Sequence, residues 1–503
     1  MIAKLFLAKG SKRVSLGLIA LLMSIPLLMG ASCSDGTTGL ISTTTNSATS
    51  SSFSGISQLK MFDANNGWAT TGSAVLKTSD GGQQWTDVTP TDWEATDSQS
   101  GQNDKGISAV FFLDAKDAWI VSSNANTVEN QIAGTALAST QVPEIQTQVQ
   151  VYVRATIDGG STWMEAHPIQ VTNLAFIYPP YFINQHEGWL ALTTTSSDGK
   201  RRDGHIYHST DGGITWQEVS TITSVGDSDS LSGLTMVPNC TTNGGSTLPQ
   251  CTTSSVQGCA TTGTANTLGW LAHSNKQSLL LQQSSDSGTT WSNLNWNTPG
   301  GAPGQTGNSL IVASPPTVFA DGTGVLPIQM QSNPDGNDPS NFYLHLYKMS
   351  FTAGGGAIQA DLSLTSNFVS QLVAVDHTLS APDLDHIFVL GQDYNNGNVG
   401  STNLYELRGG NWQTLSSQIS SGSSSSSSDL SSLSSGSPLS NLDFISDTEG
   451  WATGGSALYH ITLNGTNATW TQVYPPVSTT TTVTVARSPG RVLSAPANPG
   501  SCV

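Results

Sequence analysis

The sequence predicts an all-β fold, a single seven-bladed β-propeller whose four-stranded antiparallel blades carry long loop insertions. Three observations lead there. A turn of pattern S/T-x-D-x-G-x-x-W occurs four times, an apolar strand ending in Gly-Trp or a substitute occurs seven times, and the composition is that of a β-rich chain. Charged residues make up only 10% of the 503, against 51 glycines, and low charge with abundant Gly, Ser and Thr disfavours a helical protein. Length alone leaves one large repeat domain and several ordinary domains equally open.

The chain opens like an export signal over residues 1–32. Lys4, Lys9, Lys12 and Arg13 give a positive start, Val14 to Met29 is almost wholly apolar, and the small residues Gly30, Ala31 and Ser32 precede Cys33. The apolar run falls short of the roughly 20 residues that a membrane-spanning helix needs. Small residues before a cysteine resemble a bacterial lipoprotein lipobox, which implies lipidation of Cys33. The usual Leu three residues before the cysteine is Gly30 here, so ordinary cleavage nearby and an uncleaved anchor stay open. Residues 33–52, rich in Ser and Thr, read as a flexible tether.

With Cys33 set aside for lipid, Cys240, Cys251, Cys259 and Cys502 remain, and four cysteines allow three pairings. Disulfides suit them better than a metal, because the cluster lacks close C-x-x-C spacing and histidine company. The signal removes four basic and no acidic residues, so 17 less 4 leaves 13 Lys and Arg against 35 Asp and Glu, a net charge of −22. Such a surface repels nucleic acid and anionic lipid and attracts cations or basic partners.

The seven starts fall in a region spanning residues 53–476. They are "LKMFDANNGWAT" (Trp68), "VFFLDAKDAWIV" (Trp119), "YFINQHEGWLAL" (Trp189), "NTLGWLAH" (Trp270), "VFADGTGVLPI" (Val325), "DLDHIFVLG" (Phe388) and "LDFISDTEGWATGG" (Trp451). Downstream of the first four come the intact turns: Thr78, Asp80, Gly82 and Trp85; Thr156, Asp158, Gly160 and Trp163; Ser209, Asp211, Gly213 and Trp216; Ser284, Asp286, Gly288 and Trp291. The last three repeats hold eroded versions, with Ala353, the glycines before Trp412, and Asn464 ahead of Trp470. Alternating segments such as "VQVYVRAT" lie between the two motifs, so each repeat offers about four short strands.

Repeats average about 64 residues against ~40–50 for a compact blade. Insertions at Thr89–Gly106, Thr127–Thr147, Asn239–Asn266, Asn297–Asn308 and Ser416–Ser440 carry the excess. Lengthening a loop costs only ~0.6 kcal/mol per doubling. Residues 477–503 read as a C-terminal tail.

Every residue type in the turn has a structural duty. The Asp carboxylate accepts two or three stranded backbone N–H groups, and the Ser/Thr hydroxyl two residues earlier fixes it. The Gly two residues on permits a positive φ, and the Trp buries an apolar face against the blade. These motifs resemble the Asp-box, or BNR repeat, of sialidases, sortilin-type receptors, some glucanases and the photosystem II assembly-factor family. In those families the box sits on the outer blade edge and is structural. The pairing of both motifs resembles the assembly-factor group most, which implies a seven-bladed propeller. That group docks its partner with a basic, arginine-rich face, whereas this chain is acidic and arginine-poor.

A sialidase-like clamp needs three arginines from different blades, with a Tyr–Glu nucleophile pair and an acid. Beyond the signal only Arg154, Arg201, Arg202, Arg408, Arg487 and Arg491 are present, and no F-R-I-P segment occurs. A two-carboxylate glycosidase needs acids roughly 5–10 Å apart, for which Glu94, Glu187 and Asp385 are candidates. The loop bearing Asn333, Asp335, Asn337 and Asp338 lacks the Glu of a calcium loop and reads as an Asx-turn loop. The expected function is therefore a non-catalytic binding or assembly scaffold for a protein or glycan on the disc face. It is expected to be monomeric, exported to the cell surface or periplasm, and to touch membrane only through the lipid anchor. Neither catalytic residues nor a metal or other cofactor are expected, and a glycoside hydrolase of the sialidase-like superfamily with a carboxylate pair in the central channel is the alternative.

Overall fold

A computed structural model of the chain describes residues 55–475 except 91–105, 128–146, 165–166, 197–198, 200, 224–229, 239–266, 275–278, 297–308, 320–322, 332–341, 353–354, 363–378, 396–397, 421–429 and 434–438. The described residues belong to one unit, Ser52–Val503. The signal, tether, tail, all five cysteines, Glu94 and the loop of Asn333 to Asp338 lie outside them.

Strands follow one another as hairpins. The first sheet holds β1 (Gln58–Met61), β2 (Gly67–Thr70), β3 (Val75–Thr78) and β4 (Thr86–Asp87), and the second β5 (Ala109–Phe112), β6 (Ala118–Thr127), β7 (Thr147–Thr156) and β8 (Ile169–Thr172). The third holds β9 (Leu174–Ile177), β10 (Tyr181–Phe182), β11 (Gly188–Thr195), β12 (Arg202–Ser209) and β13 (Gln217–Ile222). The fourth comprises β14 (Ser230–Pro238), β15 (Thr267–Ser274), β16 (Leu279–Ser284) and β17 (Ser292–Asn293). The fifth comprises β18 (Asn295–Trp296), β19 (Ser309–Ala313), β20 (Thr317–Val318), β21 (Thr323–Gln331), β22 (Phe342–Thr352) and β23 (Gly355–Asp361). The last holds β24 (Leu379–Ser380), β25 (His386–Asn395), β26 (Asn398–Arg408), β27 (Asn411–Ser420), β28 (Leu439–Phe444), β29 (Glu449–Gly454), β30 (Ala457–Asn464) and β31 (Asn467–Tyr474). Among the described residues the helical content is a 3₁₀ turn, Leu430–Leu433.

The all-β expectation holds, and the sheets follow one another in a propeller-like ring. Seven separate four-stranded blades do not. Five small sheets stand alone, with four, four, five, four and six strands, and the remaining eight strands form one sheet. The reason is a parallel pairing of β27 with β31, Ser416–Ser420 against Asn467–Thr471. The serine-rich segment placed from Ser416 thus begins as strand, and its ladder removes the boundary between the last two runs of hairpins.

Apolar side chains meet between neighbouring runs of strands. Trp68 and Val75 pack on Val110 and Phe112, Trp119 on Phe182 and Leu190, Trp189 on Leu234 and Met236, and Trp270 on Leu326 and Met349. Val325 then meets Val389, Phe388 meets Phe444, and Trp451 returns to Leu59 and Met61 of the first sheet. All seven motif positions are at most 2% exposed. Each buried tryptophan removes about 150–250 Å² from water, which is worth several kcal/mol at about 25 cal/mol per Å².

The glycine before the tryptophan is explained by the same packing. A Cβ on Gly188 would lie 2.3 Å from the Phe182 ring, and one on Gly450 would lie 2.7 Å from that of Phe444. The ring of the preceding strand end lies over the glycine and beside the core aromatic. The first and last sheets also meet through polar contacts: Lys60 Nζ donates to Asp443 at 2.8 Å, and Asn441 Nδ2 donates to the Ile56 carbonyl at 3.0 Å.

Candidate functional site

The four D-x-G turns connect the last two strands of each of the first four sheets, where outer strands must reverse. Their hydrogen bonds repeat. The Asp211 Oδ1 atom accepts the Ser209 hydroxyl at 2.9 Å and the Thr215 N–H at 2.9 Å, while Oδ2 accepts the Thr215 hydroxyl at 2.6 Å. Asp158 with Thr156 and Thr162, and Asp286 with Ser284 and Thr290, do the same. Asp80 accepts the Thr78 hydroxyl and the Gln84 N–H, both at 2.9 Å.

The hydroxyl residue has a second task. Ser209 Oγ accepts the buried N–H of Gly213 at 2.8 Å, as Thr78 does for Gly82 at 3.0 Å, Thr156 for Gly160 at 2.9 Å, and Ser284 for Gly288 at 2.9 Å. Both central residues of each turn have positive φ, as with Gly212 at 79° and Gly213 at 91°. Only at Ser287, φ 60°, does a residue other than glycine take this role. Trp85, Trp216 and Trp291 donate Nε1–H to the carbonyls of Gly82, Gly213 and Gly288, whereas Trp163 reaches back to the carbonyl of Val88, just past β4.

Hydrogen bonds to the carboxylates set their acidity. For Asp158 the Thr162 hydroxyl leads in holding the carboxyl below its ordinary range. In Asp211 and Asp286 burial pushes upward, but the Thr215 and Thr290 hydroxyl and N–H donors outweigh it and the net direction is down. These aspartates are ionised acceptors tied into their own turns.

The turns also receive the core tryptophans of the preceding run. Trp119 Nε1–H donates to the Gly212 carbonyl at 2.8 Å, Trp189 to Ser287 at 2.9 Å, and Trp451 to Gly81 at 3.2 Å. Three of the four turns are thereby joined to a neighbouring sheet, whereas Trp68 donates to the Asp114 carbonyl at 2.9 Å, in the β5–β6 hairpin.

The other acids read from the sequence are not brought together. Glu187 lies in the β10–β11 hairpin, 3.3 Å from His208 Nε2, and His208 stacks on Trp189 at 4.5 Å. Asp385 lies in the β24–β25 turn, where its N–H donates to Asp383. Of the arginines, Arg202 sits over the Phe176 ring at 4.8 Å and Arg408 is paired with buried Glu406 at 2.9 Å. Arg154 lies on β7, and Arg487 and Arg491 are outside the described residues.

Three polar groupings were missed in the sequence because they join residues on different strands. The last sheet repeats the His208 arrangement, His460 stacking on Trp451 at 4.7 Å and meeting Glu449 at 2.9 Å. Asp117 is buried, its Oδ2 accepting Gln185 Nε2 at 2.8 Å from the next sheet, and burial pushes its carboxyl upward. On the third sheet Thr194, His205 and Glu218 form a hydrogen-bonded row. Register arithmetic on β11, β12 and β13 is the signal that could have found this row. Among the described residues no group of three His, Cys, Asp or Glu side chains is placed to hold a metal ion.

No protein-family model and no curated protein matches the chain. Solved structures similar to it include the GH74 enzyme of Niastella koreensis, at 14% identity and TM-score 0.50, covering 83% of this chain and 54% of that one. YCF48 from Cyanidioschyzon merolae is 12% identical with TM-score 0.37, covering 81% and 95%. Trypanosoma rangeli sialidase is 13% identical with TM-score 0.33, covering 70% and 54%. The chain spans about half the length of the GH74 structure. That likeness is one of fold alone, in keeping with the ring of antiparallel sheets.

Proposed function

We propose that the chain is an extracytoplasmic β-propeller, anchored through lipid on Cys33 and the Ser/Thr tether, that serves as a binding or assembly scaffold for a protein or glycan. The observation that carries this reading is the use of the recurring carboxylates. Asp158, Asp211 and Asp286 spend both carboxylate oxygens, and Asp80 its Oδ1, on hydrogen bonds within their own turns. Repeated polar residues thus serve the framework as Asp-boxes do, and loops are left to carry recognition. The acidic balance, −18 for the full chain and −22 once residues 1–32 are removed, favours a basic or cation-bridged partner, held more tightly at low salt.

The test is a pull-down from envelope extracts with the purified mature chain, run beside a panel of glycoside substrates. Specific capture of one partner, weakened by salt and without glycoside turnover, supports a scaffold. Turnover abolished by Glu187→Gln or Asp385→Asn would give the case to a glycoside hydrolase.

A further inference from the structure

The third sheet carries a polar row that no turn requires. Thr194 on β11 lies 2.9 Å from His205 Nε2 on β12, and His205 Nδ1 lies 2.8 Å from Glu218 Oε1 on β13. The same Glu218 oxygen accepts the Thr221 hydroxyl at 2.8 Å. Burial pushes the Glu218 carboxyl up, but His205 and Thr221 bring it to a net position below the usual range, so it is an acceptor. The Nδ1 proton therefore points at Glu218, and Nε2 is left to accept the Thr194 O–H. This is the hydroxyl–imidazole–carboxylate order of a base-activated nucleophile.

Two β-bulges set the row. Along β12 and β13, Ile206 faces Ser220 but Tyr207 faces Glu218, leaving Val219 unmatched. Regular pairing would place Glu218 opposite His208, on the other face of the sheet; the bulge turns it to the face of His205. Along β9 and β11, Thr193 faces Phe176 but Thr194 faces Leu174, so Ala175 is skipped. Bulges of this kind re-aim side chains beside reactive sites. Half-buried Leu174 then offers an apolar rest opposite the hydroxyl, and the His205 side chain remains 21% exposed.

The fold does not demand these residues. The last sheet carries "ALYH" where the third carries "HIYH", with the same bulge after Leu458 and Gln472 opposite Tyr459. Ala457 stands in the place of His205, and Gln472 in that of Glu218, yet the sheet forms.

We propose that Thr194, His205 and Glu218 form a nucleophilic site that hydrolyses short-chain carboxylic esters, an activity independent of the scaffold reading. Thr194 Oγ attacks the ester carbonyl carbon as its proton passes to His205 Nε2, and Glu218 holds the resulting imidazolium. The carbon–oxygen bond to the alcohol breaks, and the departing oxygen takes the proton from Nε2, leaving the acyl group on Thr194. Water then attacks that acyl carbon and gives its proton to Nε2; the bond between the acyl carbon and Thr194 Oγ breaks, the acid departs, and Nε2 returns the proton to the Thr194 oxygen. One ester and one water yield one acid and one alcohol, with no change of oxidation state.

The full chain should release 4-nitrophenolate from 4-nitrophenyl acetate above the buffer rate, with an acetyl group found on Thr194 in acid-quenched protein. Thr194→Val and His205→Ala should each lower the rate about 100-fold or more, and Thr194→Ser should retain it. Glu218→Gln should lower the rate and move its pH profile, as expected of a group that orients His205. Equal release by wild type, Thr194→Val and His205→Ala, or acetyl groups confined to lysine, would overturn the assignment. Loss of rate in Thr194→Ser together with Thr194→Val would overturn it as well, since a structural defect then suffices.

Discussion

At the scale of single residues, the turn divides its work between two side chains. The sequence reading gives the aspartate two or three stranded N–H groups to satisfy. In the structure the carboxylate of Asp211 takes the exposed Thr215 N–H, while the Ser209 hydroxyl takes the buried Gly213 N–H. Stranding a buried donor costs about 1–3 kcal/mol, whereas a solvated hydrogen bond is worth nearer 0.5–1.5 kcal/mol. Ser209→Ala should accordingly lower the urea midpoint more than Asp211→Ala, and equal losses would show that burial does not set the cost. The lowered pKa of Asp211 has a definite sign. A folded carboxyl below its unfolded value of 3.8 contributes stability that is full above that value and lost as pH falls through the folded one. The gap between wild type and Asp211→Asn should close on acidification below pH 3.8, as read from urea midpoints along a pH series. A gap that widens there would contradict the hydrogen-bond assignment.

At the scale of elements, the Gly-Trp strand and the aspartate turn are two halves of one joint. Trp119 stacks on Phe182 at 3.8 Å and donates to Gly212 in the next sheet. Trp119→Phe keeps much of the packing but strands a buried carbonyl, so it should cost about 1–3 kcal/mol. A change within ±0.5 kcal/mol would mean that the indole hydrogen bond is idle. Much of this joint was legible, because the apolar run, glycine and tryptophan announce a buried second strand and the D-x-G pattern announces a reversal. Which sheet each tryptophan reaches was not, since Trp119 and Gly212 are 93 positions apart. The row of Thr194, His205 and Glu218 stayed hidden for a related reason. Its geometry hangs on a bulge at Val219, and a one-residue slip of register carries a side chain to the opposite face.

At the scale of the whole molecule, the ring is held by joints that repeat with different chemistry. Tryptophan serves at five of the seven core positions, and Val325 and Phe388 serve at the other two, buried as completely. The buried core positions were readable from these motifs, but the number of separate sheets was not: five stand alone and eight strands share a sixth, where seven blades were expected. It depends on whether a serine-rich stretch pairs with β31, which backbone groups decide and side-chain patterns do not reveal. The four intact turns lie on four different sheets, and distant sites contribute additively. The direct measurement is the urea midpoint of a variant with Asp80, Asp158, Asp211 and Asp286 all changed to Asn, together with its capture of the envelope partner. A structural role requires a stability loss near the sum of the four single losses, with an unchanged denaturant slope and undiminished capture by the folded fraction. Wild-type stability with capture abolished would show that the turns recognise a ligand and would contradict their structural assignment.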